Sequence, residues 1–239
     1  TYHILAAHKS LSCLLARRME CRHVDIHWSL FSKGRFSPDA QNTGRRAARN
    51  AALTLLMSRG HKADLELAAD HYFTAKTMTE AAHAMSLLAG SAGLQRKAVL
   101  EHFYELWKDD HVVIDTWFAA QALSPRANVI EEIEKLMLHA PFDIAVPNKV
   151  RALIGSFIMR NPVQFNRPDG KGYQLAVDQV LAIDKFNPQI AARLLNGLRS
   201  WRVLEPVRRK AAKRALERLA KEDSISRDTT EIVARILQD

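Results

Sequence analysis

Most glycines and prolines of this chain fall between its periodic segments rather than inside them, and these act as punctuation. There are only 9 Gly and 8 Pro in 239 residues, and the stretches between them repeat apolar residues at helical spacing. Ser37-Pro38-Asp39 opens a segment running to about Arg59, in which Leu53, Leu56 and Met57 form an i, i+3, i+4 stripe and Gly60 supplies the stop. Asp64 to Phe73 reads as the return helix. Thr77 and Glu80 have the spacing of a capping box ahead of Ala81, Ala84, Met85 and Leu88, and Gly90 and Gly93 close that segment.

The same grammar continues toward the C-terminus. Helices are expected over Gln95–Lys108, Val112–Leu123 and Arg126–His139, the last opening after Ser124-Pro125, and then over Pro147–Met159. An Asn161-Pro162 turn and the loop Arg167-Pro168-Asp169-Gly170-Lys171-Gly172 follow, with helix resuming near Tyr173. Asn187-Pro188-Gln189 starts another helix with Asn187 as its N-cap, and Pro206 and Ser226 mark the last two starts. No segment sustains period-two alternation between hairpin turns, which leaves an all-α chain. Short links force consecutive helices antiparallel, and two helices per roughly 35 to 45 residues is the size of a HEAT or armadillo unit. The expected architecture is a set of antiparallel helix pairs stacked as an α-solenoid superhelix.

Composition sets the functional bounds. Hydrophobic residues at 47% and charged residues at 26% suit a globular chain with a sizeable core. No apolar run approaches the roughly 20 residues of a membrane helix, and the first residues lack the order of a signal peptide, so a soluble cytoplasmic protein with no membrane partner is expected. Cys13 and Cys21 lack zinc-knuckle or redox spacing and read as free thiols in or near the core. A net charge of +9 fits an acidic partner, a nucleic acid or merely a basic surface.

The motifs a catalyst would need are missing or incomplete. No H-E-x-x-H occurs, and His102 with Glu105 is at most half a metal site, better read as a solvated or locally hydrogen-bonded histidine. Asp169-Gly170-Lys171-Gly172 is a tight turn rather than a phosphate loop, and Asp109-Asp110-His111 sits where aspartates usually cap helices. From Pro206 to Lys221, Val207, Ala211, Ala212, Ala215, Leu216 and Leu219 share one half of the wheel and Arg209, Lys210, Lys213 and Arg214 the other. That basic half carries no aromatic residue to stack on a base, so nucleic acid is not the expected partner.

Several blocks, taken in order, resemble the C-terminal helical domain of bacterial aminopeptidase N. They are Phe36-Ser37-Pro38-Asp39-Ala40 with Gly44, Arg45, Arg49 and Asn50; Ala75 with Met78-Thr79-Glu80; Asp115-Thr116-Trp117-Phe118 with Gln121-Ala122, Ser124-Pro125 and Asn128; Pro147-Asn148, Arg151, Phe157, Asn161-Pro162 and Phe165; Asp169-Gly170-Lys171-Gly172-Tyr173; and Asn187-Pro188-Gln189, Ala191 and Arg193-Leu194. Thr116, Asn166 and Lys171 depart from the family's usual lysine, histidine and small residue. On this resemblance residues 35–239 form the helical-repeat domain and residues 1–34 are an unmatched helical segment.

The resemblance implies a parent zinc metallopeptidase that removes N-terminal amino acids from peptides. Its zinc would sit in a catalytic domain of the same polypeptide, absent from this chain, which would itself hold no cofactor, carry no catalytic residue and be inactive alone. The helical domain would close the catalytic chamber and control the access of peptide substrates. Arg151, Gln189 and Arg193 occupy positions whose family counterparts face that chamber, and their donors suit peptide carboxylates and amides. The competing reading is a free-standing HEAT-like adaptor that binds protein or nucleic acid through a basic groove.

Overall fold

The structure is a computed structural model describing residues 2–32 and 34–238, and every described element is helical. The chain divides into two compact units, residues 1–108 and 109–239. Each stacks helix pairs, the all-α arrangement of an armadillo-like solenoid.

The first unit contains α1 (Tyr2–Arg18), α2 (Glu20–Ser29), α3 (Ala40–Met57), α4 (Lys62–Thr74), α5 (Met78–Ala89) and α6 (Leu94–Trp107). Asp39 caps α3 by accepting the Asn42 amide at 2.9 Å, and Gly60 ends that segment with a left-handed φ of 72°. Just before this stop, Arg59 forks to Asp64 of α4 and to Glu20 of α2, tying the opening segment to the α3–α4 corner. Leu53, Leu56, Met85, Leu88, Val99 and Phe103 are fully buried and form the core beneath these helices.

Thr77 caps α5 through the Glu80 amide, but Glu80 does not complete the box by returning to the Thr77 amide. It turns inward to Arg49, whose guanidinium bonds it at 2.8 Å with both side chains buried. Cys21 is exposed and Cys13 only partly covered, so the expected burial of both thiols fails at Cys21, which lies on the solvent side of α2.

The second unit begins with α7 (His111–Ala122), capped by Asp110, whose carboxylate accepts the Val112 and Val113 amides at 3.0 Å each. The next helix, α8, covers Val129–Met137 rather than starting at Arg126, because Ser124 accepts the Arg126 amide in a turn that delays it. A continuous helical stretch follows: α9 (Pro147–Val150), a wide π-turn (Arg151–Gly155) and α10 (Ser156–Arg160). After α11 (Pro162–Phe165) come α12 (Lys171–Asp184), α13 (Pro188–Leu194), 3₁₀ turns at Leu195–Leu198 and Trp201–Val203, α14 (Pro206–Ala220) and α15 (Arg227–Gln238).

The loop before α12 is the expected tight turn. Gly170 adopts φ 75°, and the Lys171 amide donates to Asp169 at 3.1 Å. Phe157, Phe165 and Tyr173 stack edge to face at 5.9 and 5.3 Å, joining α10, α11 and α12 through the core.

Candidate functional site

The second unit holds a pocket between two helical walls. The first wall is the α9–π–α10 stretch, held at both ends by buried polar side chains. Lys149, 4% exposed, bonds the His111 carbonyl at 2.8 Å and the Asp115 carboxylate at 2.7 Å, which anchors α9 to α7. At the far end the Asn161 amide donates to the Ala122 and Ser124 carbonyls at 2.9 and 2.8 Å while accepting from the Gln164 amide.

Between these anchors the helix changes pitch. The Ser156 amide reaches back five residues to the Arg151 carbonyl, so one extra residue occupies this turn. In an uninterrupted α-helix, nine residues at about 100° each would put Arg160 some ~180° around the axis from Arg151. The extra residue removes about 100° of that rotation and brings the two guanidiniums onto neighbouring faces.

The second wall is α13. Asn187 caps it by accepting the Ile190 amide at 3.1 Å, and its first turn begins at Pro188, as expected. Ile190, Arg193 and Leu194 face the first wall at i, i+3 and i+4. The 3₁₀ turn after α13 is pressed against α10 at Gly197, where a β-carbon would lie 2.4 Å from Ile158 Cγ2, so only glycine permits this spacing.

The pocket between the walls is about 280 Å³, lined by Arg151, Gly155, Ser156, Met159 and Arg160 on one side and Ile190, Arg193 and Leu194 on the other. Arg151 and Arg193, singled out from the sequence, therefore share one cavity. Gln189 is exposed on the first turn of α13 and does not line it. Arg160 joins them unforeseen, since a helical wheel places it on the far side and no local signal announces the π-turn. Arg151 donates to the neutral Asn148 amide oxygen at 3.1 Å, and among the described residues no carboxylate pairs with any of the three. Apolar walls with convergent, uncompensated guanidiniums suit an anionic group attached to an organic chain, since guanidinium grips a carboxylate bidentately.

A family described as a domain of unknown function (DUF3458_C) with ARM repeats matches residues 1–238. The chain belongs to this ARM-repeat family. Aminopeptidase N of Caulobacter vibrioides is 33% identical over 212 residues, covering 89% of this chain and 25% of the relative. Aminopeptidase N of Haemophilus influenzae is 36% identical, covering 83% of this chain and 23% of the relative. The corresponding Escherichia coli protein is 33% identical with similar coverage. Among solved structures, Legionella pneumophila aminopeptidase A in complex with aspartic acid superposes with a TM-score of 0.87 at 29% identity, over 97% of this chain and 28% of that one. This ARM-repeat domain thus spans about a quarter of the length of its relatives and corresponds to the C-terminal part of aminopeptidase N.

Elsewhere in the ARM-repeat domain the polar motifs have structural partners. His102 shares a 2.9 Å hydrogen bond with the Tyr72 hydroxyl, which burial keeps protonated by pushing its pKa up to about 12, and so His102 is locally bonded as expected. These two residues form part of a second concavity of about 390 Å³, lined with Phe73, Lys76, Phe103 and Trp107 in the first unit. No three His, Cys, Asp or Glu side chains converge as metal ligands among the described residues. No described helix is long and apolar enough to cross a membrane.

Along α14, Ala212, Ala215, Leu216 and Leu219 are buried while Arg209, Lys210, Lys213 and Arg214 face solvent. Val207, placed on the apolar half of the wheel, is 60% exposed because it lies in the first turn, ahead of the buried contact.

Proposed function

We propose that this chain is the non-catalytic C-terminal domain of a zinc aminopeptidase that removes N-terminal amino acids from peptides. It closes the catalytic chamber and controls the access of peptide substrates. The observation that carries this reading is the shared pocket of Arg151 and Arg193, whose guanidiniums have no carboxylate partner among the described residues and can hold a peptide's terminal carboxylate. Zinc belongs in the remainder of the polypeptide, because this chain has no H-E-x-x-H and the described residues offer no converging ligand set. The chain alone is inactive and binds no cofactor, and the whole enzyme works in the cytoplasm. Gln189, exposed one turn before Arg193, is a further contact for the peptide backbone.

The partner of this domain is the catalytic domain of the same polypeptide. Along α1, Ile4, Leu11 and Leu15 lie on one face at i, i+7 and i+11 and are 73%, 55% and 43% exposed, a row that docks on the missing remainder.

The test is Arg193→Ala in the full-length enzyme. The side chain is exposed, so thermal unfolding should be unchanged, while kcat/KM for peptides drops roughly tenfold, as expected for one charge-assisted contact. A chromogenic substrate of one amino acid, too short to reach this domain, should be hydrolysed normally. A lowered melting temperature with unaltered peptide kinetics would make Arg193 structural and overturn the reading.

A further inference from the structure

Resting on the reading that this pocket faces the substrate, we propose that Arg160 makes it selective for peptides ending in an acidic residue. A terminal α-carboxylate carries one negative charge, which one or two of the guanidiniums satisfy. The pocket presents three: Arg151 at the start of the π-turn, Arg160 at its far end and Arg193 on the opposite wall. Their mutual repulsion is relieved most fully by a dianion, because each added carboxylate finds a cation of its own.

A C-terminal Glu or Asp supplies that pair of carboxylates on one short organic frame. The apolar groups of Met159, Ile190 and Leu194 line the same cavity and cover the methylene stem that joins them. A cavity of about 280 Å³ has room for such a residue. The neutral isostere Gln fills the same space but leaves the third guanidinium without a counter-charge. Arg160 is a specificity residue in this scheme and takes no part in bond cleavage. It is exposed and has no ion-pair partner among the described residues, so the fold does not depend on its charge.

The experiment uses the full-length enzyme and a ladder of alanine peptides of increasing length, each ending in Glu or in Gln. The unaltered enzyme should prefer the Glu peptide by about fivefold in kcat/KM, mainly through KM, which is the upper range for a solvent-exposed ion pair. Added salt should bring the ratio toward one. Arg160→Ala and Arg160→Gln should abolish the preference, bringing kcat/KM for the Glu peptides down to that for the Gln peptides, and Arg160→Lys should retain part of it. A ratio near one in the unaltered enzyme, or a ratio that survives both Arg160 replacements, overturns the inference. If Arg193→Ala still slows both peptide series in that case, the substrate-facing pocket stands and only the acidic selectivity falls. If Arg193→Ala slows neither series, both readings fall together.

Discussion

In the interior of the first unit, His27 Nε2 and His71 Nδ1 share a 2.8 Å hydrogen bond between two fully buried imidazoles. One ring must donate and the other accept, so neither gains from protonation. Burial, reinforced by the Arg49 charge, pushes His27 down to about 4 and His71 down to about 3. In the unfolded chain both titrate near ~6.5.

Acid should therefore weaken this unit before its carboxylates are protonated. Below about pH 6.5 the unfolded chain binds protons that the folded chain refuses, so stability is complete above that value and falls as the pH drops through 6 and 5. The loss continues until His27 and then His71 titrate in the folded state. Each histidine adds a slope of up to ~1.4 kcal/mol per pH unit in this window. Urea unfolding of the chain at a series of pH values should show it, and His71→Gln should lower the proton uptake on unfolding by about one. An unchanged pH slope in that variant would refute the assignment.

Beside the imidazoles, the buried Arg49–Glu80 pair joins α3 to the first turn of α5, and the Arg49 guanidinium also bonds the His27 carbonyl at 3.2 Å and lies over Phe31. Removing one partner strands the other's charge, so Arg49→Ala and Glu80→Ala should each cost about 3 to 5 kcal/mol. The double replacement Arg49→Met with Glu80→Leu should recover most of that loss, since the desolvation of both charges disappears with them. Equilibrium unfolding of the three variants distinguishes a stranded charge from simple loss of packing.

Helix existence, caps and stops were legible because they are local. Asp39, Asp110, Asn161 and Asn187 each accept an amide two or three residues ahead, a relationship written in adjacent letters. The candidate pocket was legible only by halves. Arg151 and Arg193 were found through a family resemblance, whereas Arg160 reached them through a π-turn that lies between the anchors at Lys149 and Asn161. The π-turn's sequence, Arg151-Ala152-Leu153-Ile154-Gly155, contains nothing that a regular helix would reject before its last residue. Arg49 and Glu80 were likewise visible as a motif residue and a capping residue, but a pairing across 31 positions carries no local signal.

Glycines separate close packing from mere helix membership. A β-carbon on Gly172 would lie 2.2 Å from the Phe165 carbonyl oxygen, so Gly172→Ala must drive α12 away from α11. A cost of about 1 to 3 kcal/mol is expected from such overpacking. Gly155, with φ −61° and ψ −41°, meets nothing closer than 3.6 Å, and Gly155→Ala should instead stabilise the helix by about 0.5 to 1 kcal/mol. Parallel denaturation curves would settle the contrast, and equal effects of the two substitutions would contradict the geometry.

Gly197 connects this packing to the pocket. Its missing side chain lets the turn after α13 press on Ile158, and Ile158 immediately precedes Met159 and Arg160 of the facing wall. In Gly197→Ala the new methyl group would sit 2.4 Å from Ile158 Cγ2 and 3.2 Å from the Ile158 carbonyl oxygen, so the two walls must part. Separation by even a fraction of an ångström weakens bidentate contacts that depend on converging guanidiniums. In the full-length enzyme this substitution should raise KM for peptides several-fold without removing any group that touches them, while kcat for a single-residue substrate stays constant. Stability should fall by about 1 to 3 kcal/mol, so the kinetics must be measured well below the transition temperature. Introducing Ile158→Val in the same chain removes a methyl group from the crowded side chain and should restore part of both the stability and the peptide KM. Recovery of stability without recovery of KM would show that the wall spacing set by Gly197 is structural and does not govern substrate binding.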